Sequence, residues 1–344
     1  MNEDFRVSTV ETPGIFSGQY PDVYFSAGYG HASEAVEDGG WHLAEVGHRK
    51  IIYPFMLRKI EGSNSFDMAS PYGYAGAWGE EEATDKEWAD FRVDLKSWAL
   101  QNSVVSEFIR IGSIVPGVES IVRNWTDVKV RRHNTTFAID TSLGYEKCWS
   151  NFDSRVRTKV RKATKCGLNC SVERGSLDWA IRDSPARALY RKTMERIGAK
   201  EYYKFSDDYF SRLVEYCNTA QLIVKDAEGS VVAAAMMFLS KNDAHLHLVG
   251  TEENALRYGV GPYVYDQTAR WVSAEGYKLL HIGGGVQDED SLHYFKAGFG
   301  GTPKDFYVGQ SIIDEERYSQ LVSARTNKLP MPPEQDDFFP LYRA

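Results

Sequence analysis

Cysteine is scarce in this sequence: there are four among 344 residues, Cys148, Cys166, Cys170 and Cys217. So few in so long a chain do not make a disulfide framework. The closest pair, Cys166 and Cys170 in CGLNC, is spaced loosely like metal ligands. No second Cys or His pair lies near it in sequence, and zinc wants four ligands, so no metal site is expected. Long apolar runs are missing too: nothing approaches the ~20 residues of a membrane helix. The opening MNEDFRVSTVETPG is acidic and polar, unlike a secretory signal, so a cytoplasmic protein is expected. There is no G-x-S-x-G elbow, no G-x-x-x-x-G-K-[ST] phosphate loop and no H-E-x-x-H. Positive charge is in deficit, with 40 Lys and Arg against 48 Asp and Glu and a net charge of -8. That balance does not suit a protein whose whole surface lies on nucleic acid.

What remains is an ordinary globular composition, 42% hydrophobic and 13% aromatic. The length suits two domains of ~150 residues each. Residues 39–62 read as two strands around a polar turn, and SPYGYAGAWG (70–79) as a loop that carries Tyr72 and Tyr74. Between 83 and 103, Trp88, Phe91, Leu95 and Trp98 recur at helical spacing, and VVSEFIRI follows as a strand. Residues 144–167 read as one helical stretch closed by Gly167, and two more helices cover DSPARALYRKTMERIGA and DDYFSRLVEYCNT. A meander follows, with strands Leu222–Lys225, Val231–Leu239 and Ala244–Val249. Then come a glycine loop, a helix closed by Gly276, the strand YKLLHIGGG, the short helix SLHYFKAGFG and the strand KDFYVGQSII. The class is α/β with mixed sheets. GYGHAS (28–33) does not follow a strand into a nucleotide-binding unit and carries little weight.

Four features carry chemistry. In RVRTKVRKATK, Arg155, Arg157, Lys159, Arg161, Lys162 and Lys165 occur with no acid among them. The block is a phosphate-contacting surface or a solvated helix face. In RYGVGP, Gly259 and Gly261 let backbone amides approach a ligand, and the helix that follows aims its free N–H groups at an anion. A pyrophosphate, a tRNA phosphate or a carboxylate all fit, and so does a plain glycine turn. In AHLHLV, His245 and His247 share one face of a strand while Leu246 and Leu248 share the other. The leucines are expected in the core and the histidines in a wet groove where they could relay protons, or on an ordinary sheet surface. Lys296 sits among Phe295, Phe299 and glycines, with no acid nearer than Asp290 and Asp305. It is a surface lysine or the cation that stabilises an oxyanion in acyl transfer.

The order of the second half resembles an N-acyltransferase of the GNAT fold, whose acyl-coenzyme A signature is Q/R-x-x-G-x-G/A. Here LRYGVG keeps Gly259 and Gly261, places Leu256 where Gln or Arg is usual, and has Arg257 one position late. A closer resemblance is to the Fem-type aminoacyl-tRNA-dependent peptidyltransferases, which are two tandem GNAT-like domains. It rests on YPFMLRKI…SPYGYAG, SRVRTKVRKATKCG, YRKTMERIGAKEYYKFSDDYF, AHLHLVGT and LLHIGGGVQDEDSLHYFKAGFGG, spanning about 50–301.

The resemblance implies a first domain over 1–144, joined by the tail 318–344, and a second over 145–317. It implies that Lys296 steadies the tetrahedral intermediate, with Phe295 beside it at the substrate. It places Tyr203 in the substrate channel, and Tyr72 and Tyr74 at the acceptor site. The resemblance implies an amine acceptor, either a cell-wall precursor peptide or a small molecule; His245 and His247 fall where the family often carries tyrosines, which tilts towards the small molecule. Gly259, Gly261, Arg155, Arg157, Arg161 and Lys162 would meet the aminoacyl-tRNA. The implied reaction makes an amide from an aminoacyl-tRNA and an amine, as a monomer, with no cofactor beyond that co-substrate. An acyl-coenzyme A N-acyltransferase and a non-catalytic GNAT-like binding module are the alternatives.

Overall fold

A computed structural model describes residues 4–9, 20–112, 114–115, 117–285, 287–328 and 338–344. Most of MNEDFRVSTVETPG and residues 329–337 of the tail lie outside them. The strands, in chain order, are β1 (Arg6–Ser8), β2 (Gly40–Val46), β3 (Ile51–Lys59), β4 (Phe66–Ala69), β5 (Trp78–Gly79), β6 (Val104–Ile111), β7 (Lys129–Asp140), β8 (Asn169–Arg174), β9 (Thr219–Lys225), β10 (Val231–Leu239), β11 (Asp243–Thr251), β12 (Leu279–Gly284) and β13 (Thr302–Ile312). The chain forms two compact units. One comprises Met1–Thr12, Glu37–His133 and Phe306–Ala344, the other Pro13–Val36 and Asn134–Asp305.

In the first unit β1, β2, β3 and β4 pair antiparallel in turn, β4 runs parallel to β6, and Tyr307–Ile312 of β13 close antiparallel on β6. The helix Asp85–Gln101 starts in a capping box, in which Thr84 Oγ1 accepts from Glu87 N and Glu87 accepts from Thr84 N. Its Trp88, Phe91 and Leu95 are buried, in the helical register read from the sequence. Burying each such side chain contributes roughly 1.5–3 kcal/mol. The C-terminal Tyr342 packs with Ile60, Val105 and Tyr318, and its hydroxyl donates to Asp67, which also pairs with Arg58 and Arg343.

The second unit carries the order β7-β12-β11-β10-β9-β8. All its neighbours are antiparallel except β11 and β12, which are parallel. One core joins Val156, Val160 and Ala163 of the helix Ser154–Lys165, Val260, Val264 and Ala269 of the helix Val260–Ala274, and the inner residues of β9 to β12.

The unit boundaries depart from 1–144 and 145–317 for reasons that lie in pairing. Thr136–Asp140 of β7 pair with β12, Tyr307–Ile312 pair with β6, and Pro13–Val36 belongs with the second unit. The stretch expected as one helix over 144–167 is two, Tyr145–Asn151 and Ser154–Lys165. The break turns Phe152 into the core, where it is 1% exposed, and lets Asp153 N donate to Gly298 O at 2.8 Å. Behind the left-handed Gly167, the sequence reading also missed β8.

Candidate active site

Strands β11 and β12 pair only through Asp243–His245 against Leu279–His281, although β11 continues to Thr251 and β12 to Gly284. Beyond His245 and His281 their facing edges part, and the parted backbone has no ladder there. Both strands are also bulged. On β11 the pairing with β10 jumps from Met237↔Leu246 to Met236↔Leu248, leaving His247 as the extra residue. On β12 the pairing with β7 jumps from His281↔Ala138 to Gly283↔Phe137, leaving Ile282. A bulge re-aims side chains and shifts the inside–outside alternation. So Leu246 joins the core with Ala244 and Val249, whereas Leu248, expected on the same face, is buried outside that cluster.

The histidine face is not a wet groove. The segment 22–33 covers it: the 3-10 turn Val23–Phe25, with Asp22 accepting from Tyr24 N, then the helix Ala27–Ser33. That helix docks so closely on Asp207–Tyr216 that a Cβ on Gly28 would lie 2.2 Å from Tyr216 O. Under this cover His245 is 1% exposed. Its Nε2 lies 2.7 Å from Asp22 Oδ2 and its Nδ1 lies 3.2 Å from His281 Nδ1. Burial works to raise the Asp22 carboxyl, but the charge and hydrogen bond of His245 outweigh it, and Asp22 is held below its ordinary value. His281 is pushed well down by burial, then by the charges of His245 and Lys296. The geometry is therefore a buried Asp22–His245–His281 chain that ends where the two strands part.

His247 takes a different place. Its ring stacks on Phe238 at 4.1 Å and lies between two hydroxyls, Tyr24 at 3.3 Å from Nδ1 and Tyr209 at 3.2 Å from Nε2. The ring keeps some solvent contact, yet burial among these aromatics and the charge of His245 bring its pKa down to about 3. At neutral pH it is a fixed, uncharged hydrogen-bonding group.

Lys296 is 9% exposed, and its Nζ donates to Gly284 O at 2.8 Å. Burial lowers its pKa to about 8, against the charge of Asp290. The preceding glycines explain how the lysine reaches that carbonyl. Gly283 has φ +68 at the bulge, and a Cβ on Gly284 would lie 2.3 Å from Thr135 O. Asp290 accepts from His293 N at 2.6 Å, capping the short helix Ser291–Ala297 that presents Lys296. Phe295 points into the aromatic packing, with its ring 5.1 Å from Tyr265 and 5.2 Å from Phe299.

The cationic helix Ser154–Lys165 lies against the Gly259 loop. Arg155, Lys159 and Lys162 follow one stripe at i, i+4 and i+7, all exposed. Lys162 Nζ donates to Arg257 O at 2.8 Å. Arg157 is spent differently: its Nη1 donates to Ser150 O at 3.2 Å and also to Phe152 O, closing the end of the helix Tyr145–Asn151. Arg161 lies over the Trp149 ring at 5.4 Å. Gly259 is left-handed, with φ +86, and a Cβ there would lie 2.7 Å from Lys159 O. This close approach requires glycine with or without a ligand. Gly259→Ala is expected to cost about 1–2 kcal/mol from the backbone conformation alone. Urea unfolding checks this, and an unchanged midpoint would contradict it. Gly261 opens the helix Val260–Ala274, 3.9 Å by its would-be Cβ from the Phe295 ring.

The remaining candidates are dispersed. Tyr203 ends the 3-10 turn Glu201–Tyr203 in the second unit, and its carbonyl accepts from the Tyr190 hydroxyl at 2.8 Å. Tyr72 and Tyr74 are half-buried in the first unit, Tyr74 edge-on to Phe306 at 5.4 Å. Asp22, Tyr24, Tyr209 and His281, which complete the histidine cluster, were missed by the sequence reading. His281 stood in plain view before the three glycines. Among the described residues no helix is long and apolar enough to cross a membrane.

The acetyltransferase (GNAT) domain family matches residues 150–296, less than half of the chain. A comparison with curated proteins gives no match. Among solved structures the chain is similar to FemX, at 13% identity and TM-score 0.68, over 88% of this chain and 95% of that one. It is also similar to a C-terminal domain (DUF2156) assigned to a lysylphosphatidylglycerol synthetase from Agrobacterium fabrum, at 15% identity and TM-score 0.58, over 86% and 91%. L-PGS from Bacillus licheniformis follows at 12% identity and TM-score 0.56, over 81% and 86%. At these identities the likeness is one of fold: the protein is a mixed α/β protein of the GNAT class, with an acyltransferase-type domain in its second half.

Proposed function

We propose that the protein transfers an aminoacyl group from an aminoacyl-tRNA to an amine, forming an amide where β11 and β12 part. One observation carries this reading. The Lys296 ammonium, tethered to Gly284 O, and the inner end of the Asp22–His245–His281 chain converge on the same strand, β12. An ammonium has three N–H donors, and Gly284 takes one, so others can face an oxyanion.

The steps follow from that pairing. The acceptor nitrogen attacks the ester carbonyl carbon, and negative charge develops on the carbonyl oxygen beside Lys296. The nitrogen's proton passes to His281 Nε2. With Nε2–H of His245 held by Asp22, His281 can hand its own Nδ1 proton to His245 Nδ1 across 3.2 Å. The positive charge then rests beside the Asp22 carboxylate rather than at the reacting centre. The carbon–oxygen bond to the ribose breaks, its oxygen takes the proton from His281 Nε2 while His245 returns its Nδ1 proton to His281 Nδ1, and the amide is left. Most of the rate comes from proximity and from the fixed cation. On the donor side, the exposed stripe Arg155, Lys159 and Lys162 suits tRNA phosphates, while Arg157 closes the end of the neighbouring helix Tyr145–Asn151. His247 positions the histidine face through its two tyrosines.

The Fem-type resemblance and the likeness in fold to FemX and the lysylphosphatidylglycerol synthetases support a tRNA-linked donor. An amine acceptor is tested by mass spectrometry of products from charged tRNA and a panel of amines. The expected product is heavier by one aminoacyl residue and survives mild alkali. A product that alkali cleaves is an ester, and would contradict an amine acceptor.

The second reading, an acyl-coenzyme A N-acyltransferase, has one observation in its favour. Gly259 turns the chain into the N-terminus of the helix Val260–Ala274, where free amides can hold a pyrophosphate. The packing of Gly259 on Lys159 O explains that glycine without one.

A further inference from the structure

Away from the parted strands, the helices Tyr145–Asn151, Ser154–Lys165 and Val260–Ala274 enclose a cleft of roughly 350 Å³. That volume falls at the small end of the range of ligand pockets. We infer that this cleft binds a nucleoside phosphate. The inference does not rest on the aminoacyl-transfer reading.

Two arginines in the cleft hold their guanidinium carbons over aromatic rings: Arg270 lies 3.8 Å from the centroid of Tyr145, and Arg161 lies 5.4 Å from that of Trp149. A guanidinium held in this way is ordered before any ligand arrives. Its N–H donors suit phosphate oxygens, and a guanidinium can also stack on a base. Lys165, one turn beyond Arg161 on the same helix, adds a third cation to the lining. The carboxylate count does not cancel this. Asp266 also lines the cleft, but it is 1% exposed and both of its oxygens accept, from the Tyr145 hydroxyl at 2.6 Å and from Gln267 Nε2 at 2.7 Å. It fixes the ring beneath Arg270 with its hydrogen-bonding capacity engaged, which leaves Glu146 as the exposed acid of the lining. Three cations, two of them over aromatic rings, match a phosphate joined to a planar base. A small inorganic anion would leave most of the volume empty.

Calorimetric titration of the full chain with AMP, adenosine and inorganic phosphate tests the inference. AMP is expected to bind at least tenfold more tightly than either adenosine or phosphate alone. The double variant Arg161→Ala/Lys165→Ala, both positions exposed, should weaken AMP at least tenfold while melting like the wild type. Arg270→Gln should do the same. Arg155→Ala, outside the cleft, should leave AMP affinity unchanged. Displacement of AMP by a short single-stranded RNA would mark the nucleotide as part of a strand, and absence of displacement as a free one; the site stands in both cases. No AMP binding at millimolar concentration, or equal binding by the Arg161/Lys165 variant, overturns it.

Discussion

Lys296→Met is expected to lower kcat by about 100- to 1,000-fold with KM nearly unchanged, because an oxyanion donor acts only in the transition state. Methionine keeps the unbranched apolar stem and lacks only the terminal ammonium, so the fold should survive. It should even gain. Lysine with a folded pKa of about 8 against an ordinary 10.5 binds its proton less readily in the folded state. The wild type therefore gains stability as pH rises from about 8 towards 10.5, and below 8 it carries the full penalty of a buried charge, roughly 3 kcal/mol. Urea unfolding at pH 7 should find the variant the more stable, with the difference shrinking above pH 8. The wild-type rate should fall above pH about 8 as the ammonium is lost, and the residual activity of the variant should lack that limb. Unchanged kcat, or the same basic limb in both proteins, would remove Lys296 from the chemistry.

Asp22→Asn should cost about 100-fold in kcat, at the lower end of what a general base supplies. The reason is tautomeric. The Asp22 carboxylate can only accept, so it holds the proton on His245 Nε2 and leaves Nδ1 open towards His281. An asparagine amide that donates reverses this order. His245 Nδ1–H then points at His281 Nδ1, and the His281 proton moves to Nε2, where the acceptor amine would need a lone pair. An asparagine turned the other way keeps the tautomer but no longer balances the imidazolium. In both cases the acid limb of the rate profile should move to lower pH, a shift that a merely structural role would not produce. A slower enzyme with an unmoved acid limb would make Asp22 a packing residue. Because Asp22 titrates below its ordinary 3.8, its contribution to stability is complete above that pH and is lost only as pH falls through the depressed value.

How far the sequence could be read varies by residue, and the reasons are physical. The helix Asp85–Gln101 was legible because Trp88, Phe91 and Leu95 repeat at its period. Lys296 stood out because a cation among aromatics and glycines departs from local expectation. His245 and His247 stood out through alternation on a strand. Their environment did not, because it depends on a bulge at His247 and on a cover from residues more than 200 positions away in the chain. Nothing near Asp22 in sequence announces a histidine partner. The bulge is a choice between packings, and a period-two reading assumes that it is absent. The basic block read as one surface, yet Arg157 turns back onto its neighbouring helix end and Arg161 lies on Trp149. The three glycines at 283–285 read only as the end of a strand. They also let β12 bulge, let it pass Thr135 O closely and bring Gly284 O to Lys296.

The central claim is the donor. The most direct measurement supplies purified protein with an amine acceptor and either charged tRNA or acetyl-coenzyme A, each with and without prior ribonuclease, and follows amide formation. Transfer from charged tRNA that ribonuclease abolishes, with none from the thioester, is the predicted result. Transfer from acetyl-coenzyme A that survives ribonuclease, with none from charged tRNA, would contradict it.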